Sequence, residues 1–137
     1  MIDTTWNDLE VASKEVVMQS TRQFAEALAD TTQFHEFEQS FIDYRQDGEA
    51  QSALREFQQK QTSLKALRRI NAVTEDDRQE LQRLQDRFNH QPSVVRYARA
   101  QEDLVALSQE IGDILSNAIG WDYGTSCISN KTGGCCG

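Results

Sequence analysis

The sequence is poor in the residues that break and turn a chain. It holds one proline, Pro92, and seven glycines in 137 residues, too little turn chemistry for a sheet-rich fold. Histidine is nearly absent. His35 and His90 stand outside any metal-ligand spacing, and no glutamate is followed three residues later by a histidine, which excludes the di-iron motif of helical bundles. There is no phosphate-binding loop and no GxGxxG. No apolar run approaches the length of a membrane span, and Met1 opens an acidic segment without the basic and apolar regions of a secretory leader, so the expected location is the cytoplasm. Neighbouring Asp76 and Asp77 suit a helix start better than acid–base chemistry. Enzyme function has no residues to rest on.

What the sequence does contain is amphipathic helix. Apolar residues make up 38% and charged residues 26% of the chain, with a mean hydropathy of −0.66, a balance that suits helices whose burial is completed by a partner. The fold expected is all-α: an antiparallel helical bundle built on two long helices, over residues 1–120, followed by a flexible cysteine- and glycine-rich tail, 121–137. The organising stretch runs from Pro92 to Gly120. At about 100° per residue, Val94, Tyr97, Ala98, Ala100, Leu104, Val105, Leu107, Ile111, Ile114, Leu115, Ala118 and Ile119 cover about half the circumference. Such a helix needs at least two neighbours. Ser93 reads as its N-cap and Gly120 as its left-handed C-terminal residue.

The same period sets the other helices at about 8–29, 32–45, 49–72 and 75–89, punctuated at Asp30, Asp47, Thr74 and Pro92. Phe34, Phe37, Phe41 and Tyr44 form one aromatic stripe, read as core. Thr74 with the acids at 75–77 reads as a capped helix start. The helices from Glu49 and Ser93 are both roughly 36–40 Å long, natural antiparallel partners. Because one small chain offers few neighbours to the last helix, Phe57, Leu64, Leu104 and Ile111 are expected at an interface with another copy or a paralogue.

The net charge of −8 lies entirely in the N-terminal third: residues 1–49 carry eleven acids against three bases, and the remainder balances. A chain this acidic repels phosphate backbones, so direct nucleic-acid binding is not expected. The one basic cluster, Lys60, Lys65, Arg68 and Arg69, reads as a solvated helix face.

The succession Phe24-x3-Leu28, Thr31-x2-Phe34-x2-Phe37, Asp47-x-Glu49-Ala50-x3-Leu54-x2-Phe57 and Pro92-Ser93-Val94-Val95-Arg96-Tyr97, continuing to Ala100, Leu104, Leu107, Ile111, Leu115, Ile119 and Gly120, resembles the YlbF/YmcA family of small helical bacterial regulators over about residues 8–120. Thr32 stands where the family pattern would place a proline. The resemblance implies a non-enzymatic regulatory subunit that assembles with its own kind or a paralogue, with a PSP-like partner protein and through them with a ribonuclease. The processes implied are biofilm formation, competence, sporulation and mRNA processing. The other reading is a structural or chaperone-like helical oligomer.

All three cysteines, Cys127, Cys135 and Cys136, fall in the last eleven residues, among Gly133, Gly134 and Gly137. In a cytosolic chain, clustered thiols point to metal binding or redox chemistry, not to structural disulfides. Three thiolates fall short of the usual four ligands of a zinc or iron–sulfur site, so the fourth comes from another chain, solvent or a small molecule. The residues leave iron–sulfur, zinc and oxidisable thiols open. Resemblance to the cysteine-tailed branch of the family implies a 4Fe-4S cluster shared with partner subunits, ahead of zinc.

Overall fold

The computed structural model describes residues 12–122, and every regular element in that range is an α-helix. They are α1 (Lys14–Ala29), α2 (Thr32–Gln46), α3 (Gly48–Arg69), α4 (Glu75–Asn89) and α5 (Pro92–Ile119). The first is shorter than its periodicity suggested within the described range. Ser13 is extended and its hydroxyl accepts the Val16 N–H, so the side chain ends the repeat by capping it. At the other end of the chain Gly120 adopts φ +67° and closes α5 as a left-handed residue.

Asp47 joins three helices. It is the single residue between α2 and α3, and its Oδ1 accepts the N–H groups of Glu49 and Ala50 at 3.0 and 3.1 Å. Its Oδ2 accepts the Ser93 hydroxyl at 2.6 Å. Helix α3 therefore starts at Gly48, one residue before the expected Glu49. Ser93 is not the N-cap either. Pro92, which has no N–H to satisfy, takes the first helical position, Gln91 precedes it, and the freed Ser93 side chain ties α5 to the α2–α3 corner. Helix α3 ends at Arg69, short of Ala72, because Asn71 turns left-handed at φ 53°.

The two long helices do not partner each other, as their similar lengths suggested. Each takes a shorter helix instead. The short α3–α4 connection folds α4 back along α3, where Lys60 meets Asp77 at 2.7 Å and Glu56 meets Arg87 at 2.8 Å. Helix α5 lies antiparallel to α2, and Tyr97 is the reason. Its ring stacks on Tyr44 at 5.4 Å and tilts against Phe37 and Phe41, both at 5.6 Å. Each such pair contributes about 0.5–1.5 kcal/mol beyond the area it buries. Phe88 of α4 meets Tyr44 edge-on at 6.3 Å. Beside the rings, Arg96 binds the carboxylates of Glu36 and Asp43. The aromatic stripe of α2 does serve the packing, although Phe41 remains 41% exposed.

Among the described residues the fully covered ones are few and mostly small: Ser40, Ala50, Ala53, Leu64, Leu84 and Ala100. The Ser40 hydroxyl donates to the Phe37 carbonyl, so its burial leaves no polar group unsatisfied. Small side chains at these positions let helices approach closely, and Leu64, 2% exposed, supplies the bulk between them. Replacing Leu64 by alanine should cost about 2–5 kcal/mol, read from urea unfolding at fixed protein concentration.

The α3–α4 hairpin is also held by charge. Asp77 closes a capping box with Thr74. The hydrogen bond from Lys60, helped by the backbone and hydroxyl of Thr74, holds the Asp77 carboxyl down to about 2. A depressed carboxyl contributes stability above its unfolded value near 3.9 and loses it as pH falls to the folded value. Stability should therefore drop between about pH 4 and pH 2. In Lys60→Met that acid-dependent part should shrink, and the wild-type and variant urea midpoints, plotted against pH, should draw together toward the acid end.

Candidate functional site

The α2–α5 pairing joins helices of unequal length. Helix α2 has 15 residues and α5 has 28, about 22 and 42 Å at 1.5 Å per residue. Thr32, the first residue of α2, faces the same surface depression as Leu107 and Glu110 of α5. Beyond that level α5 continues to Ile119 without α2 beside it. On the overhang Ile114 is 68% exposed, Leu115 40% and Ile119 58%, and just before it Val105 is 50% exposed. Helical spacing puts Val105 and Ile119 on one side of this stretch and Ile114, close to Glu110, on the other, while Asp113 lies opposite Leu104 and Leu115.

Helix α1 is the counterpart. Val16, Ser20, Phe24 and Ala27 recur at helical spacing, flanked by Val17, Thr21 and Leu28, while Glu15, Arg22 and Glu26 lie opposite. None of its residues is buried, and only Leu28 and Ala29, at its junction with α2, are half-covered. Val16, Val17 and Phe24 are 56%, 52% and 46% exposed. Because α1 feeds directly into the start of α2, it and the α5 overhang leave the bundle from the same end.

Seven large apolar side chains on two helices are thus half in water. Covering the exposed part of each would contribute about 1 kcal/mol. Two copies together reach the scale of the roughly 4–15 kcal/mol that association costs. Exposed apolar side chains grouped on helices in this way mark protein-binding surfaces.

Of the expected interface residues, Leu104 and Ile111 continue the apolar stripe of α5 that carries Tyr97 and Ala100, and are half-buried. Phe57 is half-buried on α3. Leu64 is a correction: the chain's own packing covers it, because α4 closes over that side of α3, and no surface remains for a partner. The strongest members of the surface, Phe24, Ile114 and Ile119, were present in the apolar stripes of the sequence, but periodicity does not reveal which part of a stripe a neighbour reaches.

The basic cluster on α3 is broken up, since Lys60 is taken by Asp77, leaving Lys65, Arg68 and Arg69 exposed. His90 sits at the end of α4 with Nδ1 2.6 Å from the Asp86 carbonyl, and His35 is exposed on α2. Among the described residues no three histidine, cysteine or acidic side chains come together as a metal set, and no helix is long and apolar enough to cross a membrane. Cys127, Cys135 and Cys136 lie outside the described residues.

With this geometry in place, comparison with known families gives a definite result. The profile described as Control of competence regulator ComK, YlbF/YmcA matches residues 17–120. The chain belongs to the YlbF/YmcA family. The match takes in α1 from Val17, the whole α2–α5 bundle and the glycine cap of α5, so both bare helices lie within it. Among curated proteins none matches the sequence. The family description is regulatory and implies protein partners, in keeping with a surface built for contact.

If the exposed face is covered by association, stability will depend on concentration, because association stabilises by mass action. The Tm of the purified chain should rise over a roughly hundredfold increase in protein concentration, as read by scanning calorimetry. A constant Tm would show the face to be bare in solution.

Proposed function

We propose that this YlbF/YmcA-family protein is a non-enzymatic regulatory subunit of a cytoplasmic multiprotein complex. It binds a copy of itself or a paralogue, a PSP-like partner and, through them, a ribonuclease, in the control of competence, biofilm formation, sporulation and RNA processing. The observation that carries the reading is the family match across residues 17–120. The half-exposed apolar residues of α1 and α5 support it physically, since they offer area for protein contact.

In this reading Cys127, Cys135 and Cys136 donate thiolates to a 4Fe-4S cluster shared with partner subunits, in preference to zinc. The donor chemistry fits, since cluster iron takes cysteine thiolate. Three thiolates leave one iron without a protein ligand, so the cluster is completed only in the assembly. The cluster would make the assembly sensitive to iron supply and oxidant. The chain's own residues would do two things, hold partners through the helical body and supply thiolates from the sequence that follows α5.

Replacing Cys127, Cys135 and Cys136 together by serine should leave helicity and Tm of the purified chain nearly unchanged. The same change should abolish iron and sulfide in the complex purified anaerobically from the native organism. A wild-type complex that is colourless and free of iron would instead favour a structural or chaperone-like oligomer. Unchanged iron in the triple variant would place the ligands elsewhere.

A further inference from the structure

The chain is negative in sum but not on every face. On α3, Arg55, Gln58, Thr62, Lys65 and Arg69 recur at steps of three and four, which places them on one stripe about 21 Å long at 1.5 Å per residue. All five are exposed, and so is Arg68 at the edge of the stripe. A shallow surface depression opens on it, lined by Arg55, Gln58, Gln59 and Thr62. Helix α3 carries two acids, Glu49 and Glu56. Helical spacing puts both on its other side, where Glu56 meets Arg87 of α4. Among the described residues no ion pair ties Arg55, Lys65, Arg68 or Arg69, whereas Arg78, Arg83 and Arg87 of α4 are all paired. Arg68 and Arg69 sit in the last turn of α3, where the helix dipole favours cations. Arg55 and Lys65 lie before that turn, so the dipole does not account for them.

The stripe holds no large apolar or aromatic side chain. A protein partner would find no apolar centre to anchor on, and a single nucleic-acid strand would find no ring on which to stack its bases. What the stripe offers is positive charge, with amide and hydroxyl donors between, along a straight rod. These are the groups that hold phosphate and sugar oxygens of a duplex without reading its sequence. The net charge of −8 does not forbid it. Helix α3 meets α2 at their corner, where Gln51 donates to the Tyr44 carbonyl. Lys65 stands eighteen residues beyond Asp47, about 27 Å along the helix and more than three times the Debye length of about 8 Å at physiological salt. We propose that the outer stripe of α3 binds the phosphate backbone of a nucleic-acid double helix. Arg55, Lys65, Arg68 and Arg69 neutralise phosphates, and Gln58 and Thr62 donate to backbone oxygens. Such binding is blind to sequence and sensitive to salt, because it releases counterions. It rests on neither the assembly nor the cluster reading above.

The test is fluorescence anisotropy of a short labelled RNA duplex of mixed sequence, titrated with the full chain over a range of salt. Affinity should fall as salt rises, with log K against log salt sloping at roughly −3, the value for three to four phosphate contacts. Arg68→Gln with Arg69→Gln should weaken binding roughly tenfold and flatten the slope by about 2. Arg78→Gln with Arg83→Gln removes the same charge from α4 and should leave affinity within roughly threefold of wild type. Arg68→Lys with Arg69→Lys should keep the wild-type slope, since a point charge suffices for a phosphate. Should the α3 variant lose helicity, Arg55→Gln with Lys65→Gln takes its place and should weaken binding likewise. A DNA duplex of the same sequence separates the two sources of such a backbone. Equal binding would show contact with phosphate alone, tighter binding of the RNA would add its 2′-hydroxyls as partners of Gln58 and Thr62, and both uphold the site. No binding at low salt, an equal loss from the α4 pair, or a single strand bound as tightly as the duplex would overturn the proposal. So would poly-glutamate that displaces the labelled duplex as well as unlabelled duplex does at equal charge, which would mark the stripe as a site for an acidic protein.

Discussion

The architecture depends on one ring. Tyr97 gathers Phe37, Phe41 and Tyr44 onto itself and so determines that α5 lies on α2 and not on the longer α3. Seating a 28-residue helix on a 15-residue one from its N-terminal end leaves the other end unaccompanied. The exposed surface is thus a geometric consequence of where the rings meet. A tyrosine a few turns later in α5 would have centred the pairing and shortened the overhang.

Around that contact, charge is used locally. Arg96 binds Glu36 and Asp43, and its guanidinium holds Glu36 below the usual carboxylate range. Asp47 is likewise held low, first by the Ser93 hydroxyl and then by the Ala50 N–H, while it caps α3. The acidic character of the N-terminal third is therefore partly spent inside the fold. What remains exposed flanks apolar helices, where it keeps the free chain in solution.

The bundle is small, with six fully covered side chains among the described residues, so any partner that covered the exposed apolar residues of α1 and α5 would also stabilise the fold. Cys127, Cys135 and Cys136 follow α5 in the sequence, the first of them eight residues beyond Ile119.

Much of this was legible in the residues. Apolar period, the Thr74 capping box, Asp47 at the α2–α3 junction and Gly120 at the end of α5 are local signals, determined by side chains within a turn or two of each other. The family resemblance was legible for the same reason, since it rests on the order of those signals, and the match to residues 17–120 bears it out. Helix pairing was not legible. Length alone suggested α3 against α5, whereas the choice rests on rings at 37, 41, 44 and 97, more than fifty residues apart in sequence. Ser93 looked like a cap until Pro92 took the first helical position and left its hydroxyl for Asp47. Leu64 and Ile114 belong to equally apolar stripes, yet one is 2% and the other 68% exposed. The sequence by itself determined which face of each helix is apolar, because that follows from a fixed angle per residue. Only the tertiary structure decided which of those faces the chain covers, because coverage depends on where two helices of unequal length come into register.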